Sequence, residues 1–228
     1  MAGAPGAPTT LVLVRHGVTG HTTGKRFSGG LAGSDPGLSE EGRGQVRSVG
    51  EWLAPLSDRI DALVTSPVRR TRESAEVLAP LLGHEVAEEP GFAEMEFGAW
   101  DGLTFDEVGE RHRDDLEAWL GSVDVAPGGT GESLRAVEQR VLAARDRCLA
   151  EHAGRTVVVV SHVTPIKTMV AHVMEAPLHS LYRMELAPAS VTVLAFWPPE
   201  GEHGPWASVR LLNALPPDRS WLGEPPRW

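Results

Sequence analysis

The chain has 228 residues, 41% hydrophobic and 23% charged, the make-up of an ordinary folded domain with ample material for a core. A formal net charge of −10 argues against nucleic acid as the main partner, since a phosphate backbone demands a basic face, but leaves room for a small phosphorylated ligand held by a local cluster of cations. One cysteine, Cys148, rules out an intrachain disulfide framework and suits a reducing cytoplasm.

MAGAPGAPTT has neither the charged start nor the apolar centre of a signal peptide, and no apolar run approaches the roughly 20 residues that span a membrane. Residues 1–9 read as a flexible linker, either a plain start or the cut end of a longer protein. Residues 10–228 read as one domain.

Leu11–Val14 is a short apolar run of alternating Leu and Val, expected as a strand buried on both faces of a parallel sheet. Arg15, His16 and Gly17 follow at its carboxyl end, where open α/β sheets bind ligands. Lys25, Arg26, Ser28, Gly29 and Gly30 then form a loop of cations, a hydroxyl and accessible amides, suited to an anion. Asp35-Pro36-Gly37 marks a turn, and Ser39 is expected to cap a helix with Val46, Val49, Leu53 and Leu56 at helical spacing. Asp61–Thr65 reads as a second strand. Pro67 is placed as the first residue of a helix to about Leu82, capped by Thr65 or Ser66, with Arg69, Arg70 and Arg72 in its opening turns.

Gly83–Gly102 reads as an extended segment entering a loop. Thr104 and Glu107 form a capping box for a helix to about Leu120. Residues 126–131 are expected to be a flexible loop whose amides reach a ligand. Leu134, Val137, Val141, Arg145 and Cys148 trace one face of a helix ending near Gly154. Thr156–Ser161 is a strand that releases His162. Thr164 is expected to cap a helix from Pro165 to about Met174, and Val191–Trp197 and Ala207–Leu212 form a hairpin, with residues 214–228 wrapping the surface. Strands alternating with helices make an α/β fold, a mostly parallel sheet with helices on both faces.

A lone histidine at a strand end is usually structural, but two strands of the same design each release one, and neighbouring strands would bring both rings over one crevice. Arginines beside them suit phosphoryl chemistry better than a metal, which those cations would repel, so neither metal nor cofactor is expected.

These residues resemble the histidine phosphatase (phosphoglycerate mutase-like) superfamily over roughly residues 10–200. The likeness rests on LVRHG at 13–17, TSPVRR at 65–70, EMEFGAWDG at 94–102, GES at 131–133 and VSH at 160–162, in that order. KRFSGG and SHVTPIKT are similar to the phosphatase half of actinobacterial proteins that join ribonuclease H to an acid phosphatase, a half often named after α-ribazole phosphatase. The resemblance implies a three-layer α/β fold and a cytoplasmic acid phosphatase in which His16 attacks phosphorus and forms a phosphohistidine. It implies that Arg15, Arg70 and His162 hold the phosphoryl oxygens, that Glu94 is acid and then base, and that Thr22, Ser28, Gly29 and Val163 touch substrate. Its partners would be a small phosphorylated metabolite, such as α-ribazole 5′-phosphate, and inorganic phosphate, with a fused or excised ribonuclease H domain.

A carboxyl in Glu94's role works best with its proton retained, which burial favours and four cations oppose, and an acidic optimum follows. By position Arg70 is the phosphate ligand and Arg69 faces out. Val18 and Val163-Thr164 depart from the family pattern, and Val163-Thr164 stands where mutases carry Gly-Asn. Two alternatives stay open, a phosphoglycerate mutase-type transfer and a silent phosphate-binding regulatory module. His21, His112, His152, His172, His179 and His203 are expected to be surface or structural, and the tryptophans core, with Trp100 and Phe97 near enough to Glu94 to wall a pocket.

Overall fold

A computed structural model describes residues 6–198 and 206–216. Among these, the strands are β1 (Thr9–Arg15), β2 (Ala62–Thr65), β3 (Val86–Glu88), β4 (Thr156–Ser161), β5 (Val191–Trp197) and β6 (Trp206–Ala214). The helices are α1 (Gly20–Thr23), α2 (Glu40–Leu53), α3 (Arg69–Leu82), α4 (Phe105–Arg111), α5 (Arg113–Gly121), α6 (Leu134–Glu151) and α7 (Val163–Val173). The sheet order is β3-β2-β4-β1-β5-β6. The pairs from β3 to β1 are parallel, and β5 and β6 close one side antiparallel.

The apolar runs of β1 and β4 bury both faces, as a central parallel strand must. Leu11, Leu13, Val157 and Val159 pack with α4, α5, α6 and α7 on one side. Val12, Val14, Val158 and Val160 pack with α2 and α3 on the other. Each such side chain contributes about 1.5–3 kcal/mol relative to an exposed one. Two helical layers thus sandwich the sheet, the expected α/β architecture.

The parallel register pairs Leu13 with Val159, Val14 with Val160 and Arg15 with Ser161. The His16 amide donates to the Ser161 carbonyl at 3.1 Å. His16 and His162 therefore leave the sheet side by side at its carboxyl edge.

Local chemistry explains most element ends. Ser39 caps α2 by accepting from the Gly42 amide, and the Thr104–Glu107 capping box opens α4. Several expectations change. Thr9 is buried in β1 and its hydroxyl accepts from the Gly154 amide, so the sheet starts one residue inside the supposed linker. α3 starts at Arg69, not Pro67, with Val68 as its cap residue; the Ser66 hydroxyl bonds Thr71 and His162 and accepts from the Val68 amide only at 3.4 Å. The Asp35 carboxylate, from a distant loop, accepts from the Arg69 amide in its place. The 104–120 helix breaks at His112 (φ −135°, ψ 40°), which takes the last bond of α4 and accepts the first of α5. α7 begins at Val163 with His162 as its cap residue, two residues before Pro165. The 126–131 loop packs on residues 97–99, with its Gly128 amide held by Asp115 and its Gly131 amide by the Pro127 carbonyl, and none of its residues lines the cleft. β5 and β6 pair as the expected hairpin, whose connection, like most of the 214–228 tail and His203, lies outside the described residues. No helix among the described residues is long and apolar enough to cross a membrane.

Gly17 lets the turn after β1 touch α2, since a Cβ there would lie 2.3 Å from the Gly42 carbonyl oxygen. Gly17→Ala should therefore cost about 1–3 kcal/mol. Gly20→Ala, whose Cβ meets nothing within 4 Å, serves as the control. Urea unfolding midpoints check this, and equal midpoints for the two variants would contradict the packing account.

Candidate active site

A cleft of about 1080 Å³ opens at the carboxyl edge of β1 and β4. Arg15, His16, Arg70 and Glu94 form its floor, with Ser28 and Val163 beside them. His16 is 5% exposed and its Nδ1 lies 2.8 Å from the Gly17 carbonyl. The Arg70 Nε–H donates to His16 Nε2 at 3.2 Å. Carbonyl on one nitrogen and donor on the other describe a neutral ring with its proton on Nδ1 and its lone pair on Nε2.

Arg70 is buried on the first turn of α3, and its Nη2 donates to the Ser28 and Gly29 carbonyls at 3.2 and 3.0 Å. Arg15 donates Nη1 to the Leu186 carbonyl. His162 is fully buried with its ring centroid 5.2 Å from that of His16. Its Nε2 is 2.7 Å from Ser66 Oγ, which is 2.8 Å from Thr71 Oγ1.

Among the described residues, four buried atoms in this cluster have no hydrogen-bond partner: Arg15 Nε, Arg70 Nη1, Ser28 Oγ and His162 Nδ1. Leaving a buried polar group unpaired costs roughly 1–3 kcal/mol, more when charged. Unpaired groups gathered at one point therefore specify a ligand, and guanidinium and hydroxyl donors specify an anion.

Burial is the main force on the titrating groups. It holds His16 well below the usual imidazole range, reinforced by the charges of Arg70 and then Arg15. His162 is lowered well below the range for the same reason, with Arg70 and His16 adding to it. Burial also brings Arg15 down to about 10, against the pull of Glu94, so it stays cationic at any ordinary pH. Glu94 is 6% exposed, and its carboxylate accepts from the Met95 amide at 2.8 Å and the Thr164 amide at 3.4 Å.

The remaining expected residues fall in different places. Ser28 and Val163 line the cleft, as does Thr22, although the Thr22 hydroxyl also accepts from the Thr19 amide that it caps. Gly29 gives its amide to Asp101 and its carbonyl to Arg70. Arg69 faces outward and pairs with Glu73 at 2.7 Å. The Arg26 guanidinium is tied to Glu107 and the Gly102 carbonyl. Phe97 lines the cleft, whereas Trp100 is fully buried in the core behind it. His21, expected as plain surface or structure, lines the cleft rim.

Sequence reasoning missed the clamp on the 28–34 loop. Glu96 accepts from the Leu31 and Ala32 amides, and Asp101 accepts from the Gly29 and Ser34 amides and the Ser34 hydroxyl. Of these amides, only that of Gly29 lies in the 25–30 loop expected to suit an anion. Together they hold the loop so that its carbonyls meet Arg70. Both carboxylates sit in the EMEFGAWDG stretch, but the loop they hold is some 65–72 residues away in sequence, which no local pattern discloses.

Because His16 is neutral and donates from Nδ1, long-range ¹H–¹⁵N spectra of histidine-labelled protein should place its proton on Nδ1 and show no titration at pH 6.5 or above. The sign is that of a lowered base, whose neutral form persists as the pH falls. A ring protonating at pH 6.5 or higher would contradict this.

Residues 11–208 match the histidine phosphatase superfamily (branch 1). The bifunctional protein Rv2228c of Mycobacterium tuberculosis is 40% identical over 211 residues, covering 92% of this chain and 55% of its own length. The chain thus spans about half of that relative. Phosphoserine phosphatase 1 of Hydrogenobacter thermophilus is 30% identical over 184 residues, 81% of this chain and 85% of its own. The mycobacterial glucosyl-3-phosphoglycerate phosphatase solved with VO3 superposes with a TM-score of 0.77 at 28% identity, covering 90% of this chain and 98% of that one. With the paired histidines, the buried arginines and these matches in place, the chain belongs to the histidine phosphatase superfamily, whose members are phosphatases or mutases.

Proposed function

We propose that this chain is a metal-independent phosphomonoester hydrolase that works through a phosphohistidine on His16. The observation that carries the reading is the lone pair of His16 Nε2, set among four unpartnered buried polar atoms with the Glu94 carboxylate on the same cleft floor. The lone pair forms the N–P bond while the ester P–O bond breaks, and Glu94 gives its proton to the departing oxygen. Arg70 turns from Nε2 to a phosphoryl oxygen as Nε2 is used. Arg15, Ser28 and His162 Nδ1 bind the other oxygens, His162 as a donor when Ser66 donates to its Nε2. The His16 Nδ1–H bond to the Gly17 carbonyl steadies the ring as it gains charge. Water then attacks phosphorus, gives a proton to Glu94 and displaces the histidine.

A nucleophile kept neutral at low pH supports an acid phosphatase. Val163 and Thr164, in place of the Gly-Asn of mutases, favour hydrolysis over return of the phosphoryl group to a second hydroxyl. A silent regulatory module has no use for all of Arg15, His16, Arg70, Glu94 and His162. The substrate is a small phosphorylated metabolite, with α-ribazole 5′-phosphate among the compounds to be tried.

Phosphate release from a panel of monoesters, without added metal and from pH 4 to 8, tests this. Wild type should turn over, His16→Ala should not, and Arg69→Ala should stay within about twofold, because an exposed ion pair contributes little. Equal losses in the two variants, or no turnover by wild type, would overturn it.

A further inference from the structure

Glu94 sits on a stretch with no ladder of its own. Between the short turns at Pro90–Phe92 and Gly98–Trp100 the backbone is irregular, so its carbonyls need partners from elsewhere. The Gly91, Ala93 and Glu94 carbonyls accept from Arg140 of α6 at 3.0, 2.7 and 2.9 Å. The Phe92 carbonyl accepts from Ser161 Oγ, at the end of β4, at 2.7 Å. Arg140 also forks onto Glu132, its Nε and Nη2 each 2.8 Å from a carboxylate oxygen. A guanidinium has five N–H groups, and here each one has an acceptor. Arg140 itself does not line the cleft.

Two of these bonds bear on the chemistry. Peptide planes are rigid, so φ and ψ alone set the direction in which a side chain leaves the backbone. The Ala93 and Glu94 carbonyls belong to the two peptides that flank the Glu94 Cα, and one guanidinium holds both. The carboxylate so directed lies on the cleft floor and accepts from the Met95 and Thr164 amides. Gly91 permits the close approach, since a Cβ there would lie 2.5 Å from the Ala144 Cβ on α6. Glu132 is fixed in turn, because its amide donates to the Glu96 carbonyl at 2.8 Å and its carboxylate accepts from the Glu96 amide at 3.1 Å. A bond to any one carbonyl would tie α6 to this stretch. Bracketing Glu94 on both sides is what an acid with a fixed aim requires.

We propose that Arg140 is a positioning residue for Glu94, acting through the two peptides beside it to aim the carboxyl at the leaving oxygen. This rests on the reading of Glu94 as the acid.

Lysine keeps the charge but offers three donors from one point, too few to fork onto Glu132 and hold both flanking carbonyls. The quantity to follow is kcat/KM, which reports the half-reaction in which Glu94 donates. Arg140→Lys should lower it about tenfold or more for phenyl phosphate, whose leaving oxygen needs a proton. For 2,4-dinitrophenyl phosphate, whose oxygen leaves unaided, the fall should stay within about threefold. Glu132→Gln, which loosens the guanidinium from its other side, should shift the two esters in the same sense by a smaller factor. An equal fall for both esters, the mark of a merely structural role, or no fall for either, would overturn the proposal. The Thr164 amide reads the same point without turnover, since it lies on α7 and meets Glu94 only through the carboxylate. In ¹H–¹⁵N spectra of Arg140→Lys its signal should move, while those of α2 and α3, across the sheet, stay in place. A Thr164 signal that stays, or that moves only along with those of α2 and α3, would sink the positioning role. A Thr164 signal that moves alone, in a protein whose wild type hydrolyses neither ester, would uphold it and sink the phosphatase reading.

Discussion

The pairing register of β1 with β4 is the constraint on which the site depends. Val14 lies beside Val160 and Arg15 beside Ser161, so the two histidines emerge as neighbours one step beyond the last paired residues. Side chains alternate along a strand, so a slip of one residue would move Val12 and Val14 from the α2–α3 layer into the α4–α7 layer. The hydrophobic sorting that stabilises the fold therefore also fixes the distance between the two histidine rings. The antiparallel neighbour β5 adds to this, because the Ser190 carbonyl holds the Arg15 amide and the His16 carbonyl holds the Ala189 amide.

Burying cations beside imidazoles is costly, and the chain arranges its surroundings around that cost. Arg70 is held by two loop carbonyls, the loop by Glu96 and Asp101, and Arg15 by a carbonyl of the 186–188 wall. What stays unpaired is the set of donors an incoming anion would satisfy. The same desolvation that disfavours a charged His16 keeps its lone pair available in acid, so burial and nucleophilicity have one origin. In the proposed reaction, an arriving phosphoryl group would reverse the local charge and stabilise the imidazolium formed as the N–P bond closes.

Much of this was legible from residue order. The apolar runs gave β1 and β4, Ser39 and Thr104 gave helix starts through their hydroxyls, and the histidines at two strand ends pointed to a shared crevice. The misplaced features depend on groups far apart in sequence. Asp35 rather than Ser66 supports the start of α3, and Ser66 is drawn away by His162, 96 positions later. The 25–30 loop looked like an anion cradle because the Gly29 amide carries no sign of the Asp101 carboxylate that satisfies it. Local rules place elements, whereas tertiary partners decide which polar groups remain free.

In the proposed mechanism, His16 Nε2 carries the phosphoryl group between two half-reactions. Rapid quenching into base with a ³²P-labelled monoester tests it directly, because a phosphohistidine survives base and is lost in acid. The account predicts a base-stable, acid-labile label on the peptide containing His16, formed and consumed within a turnover and absent from His16→Ala. Hydrolysis by wild type with no such label at any time point, or a label on another residue, would contradict it.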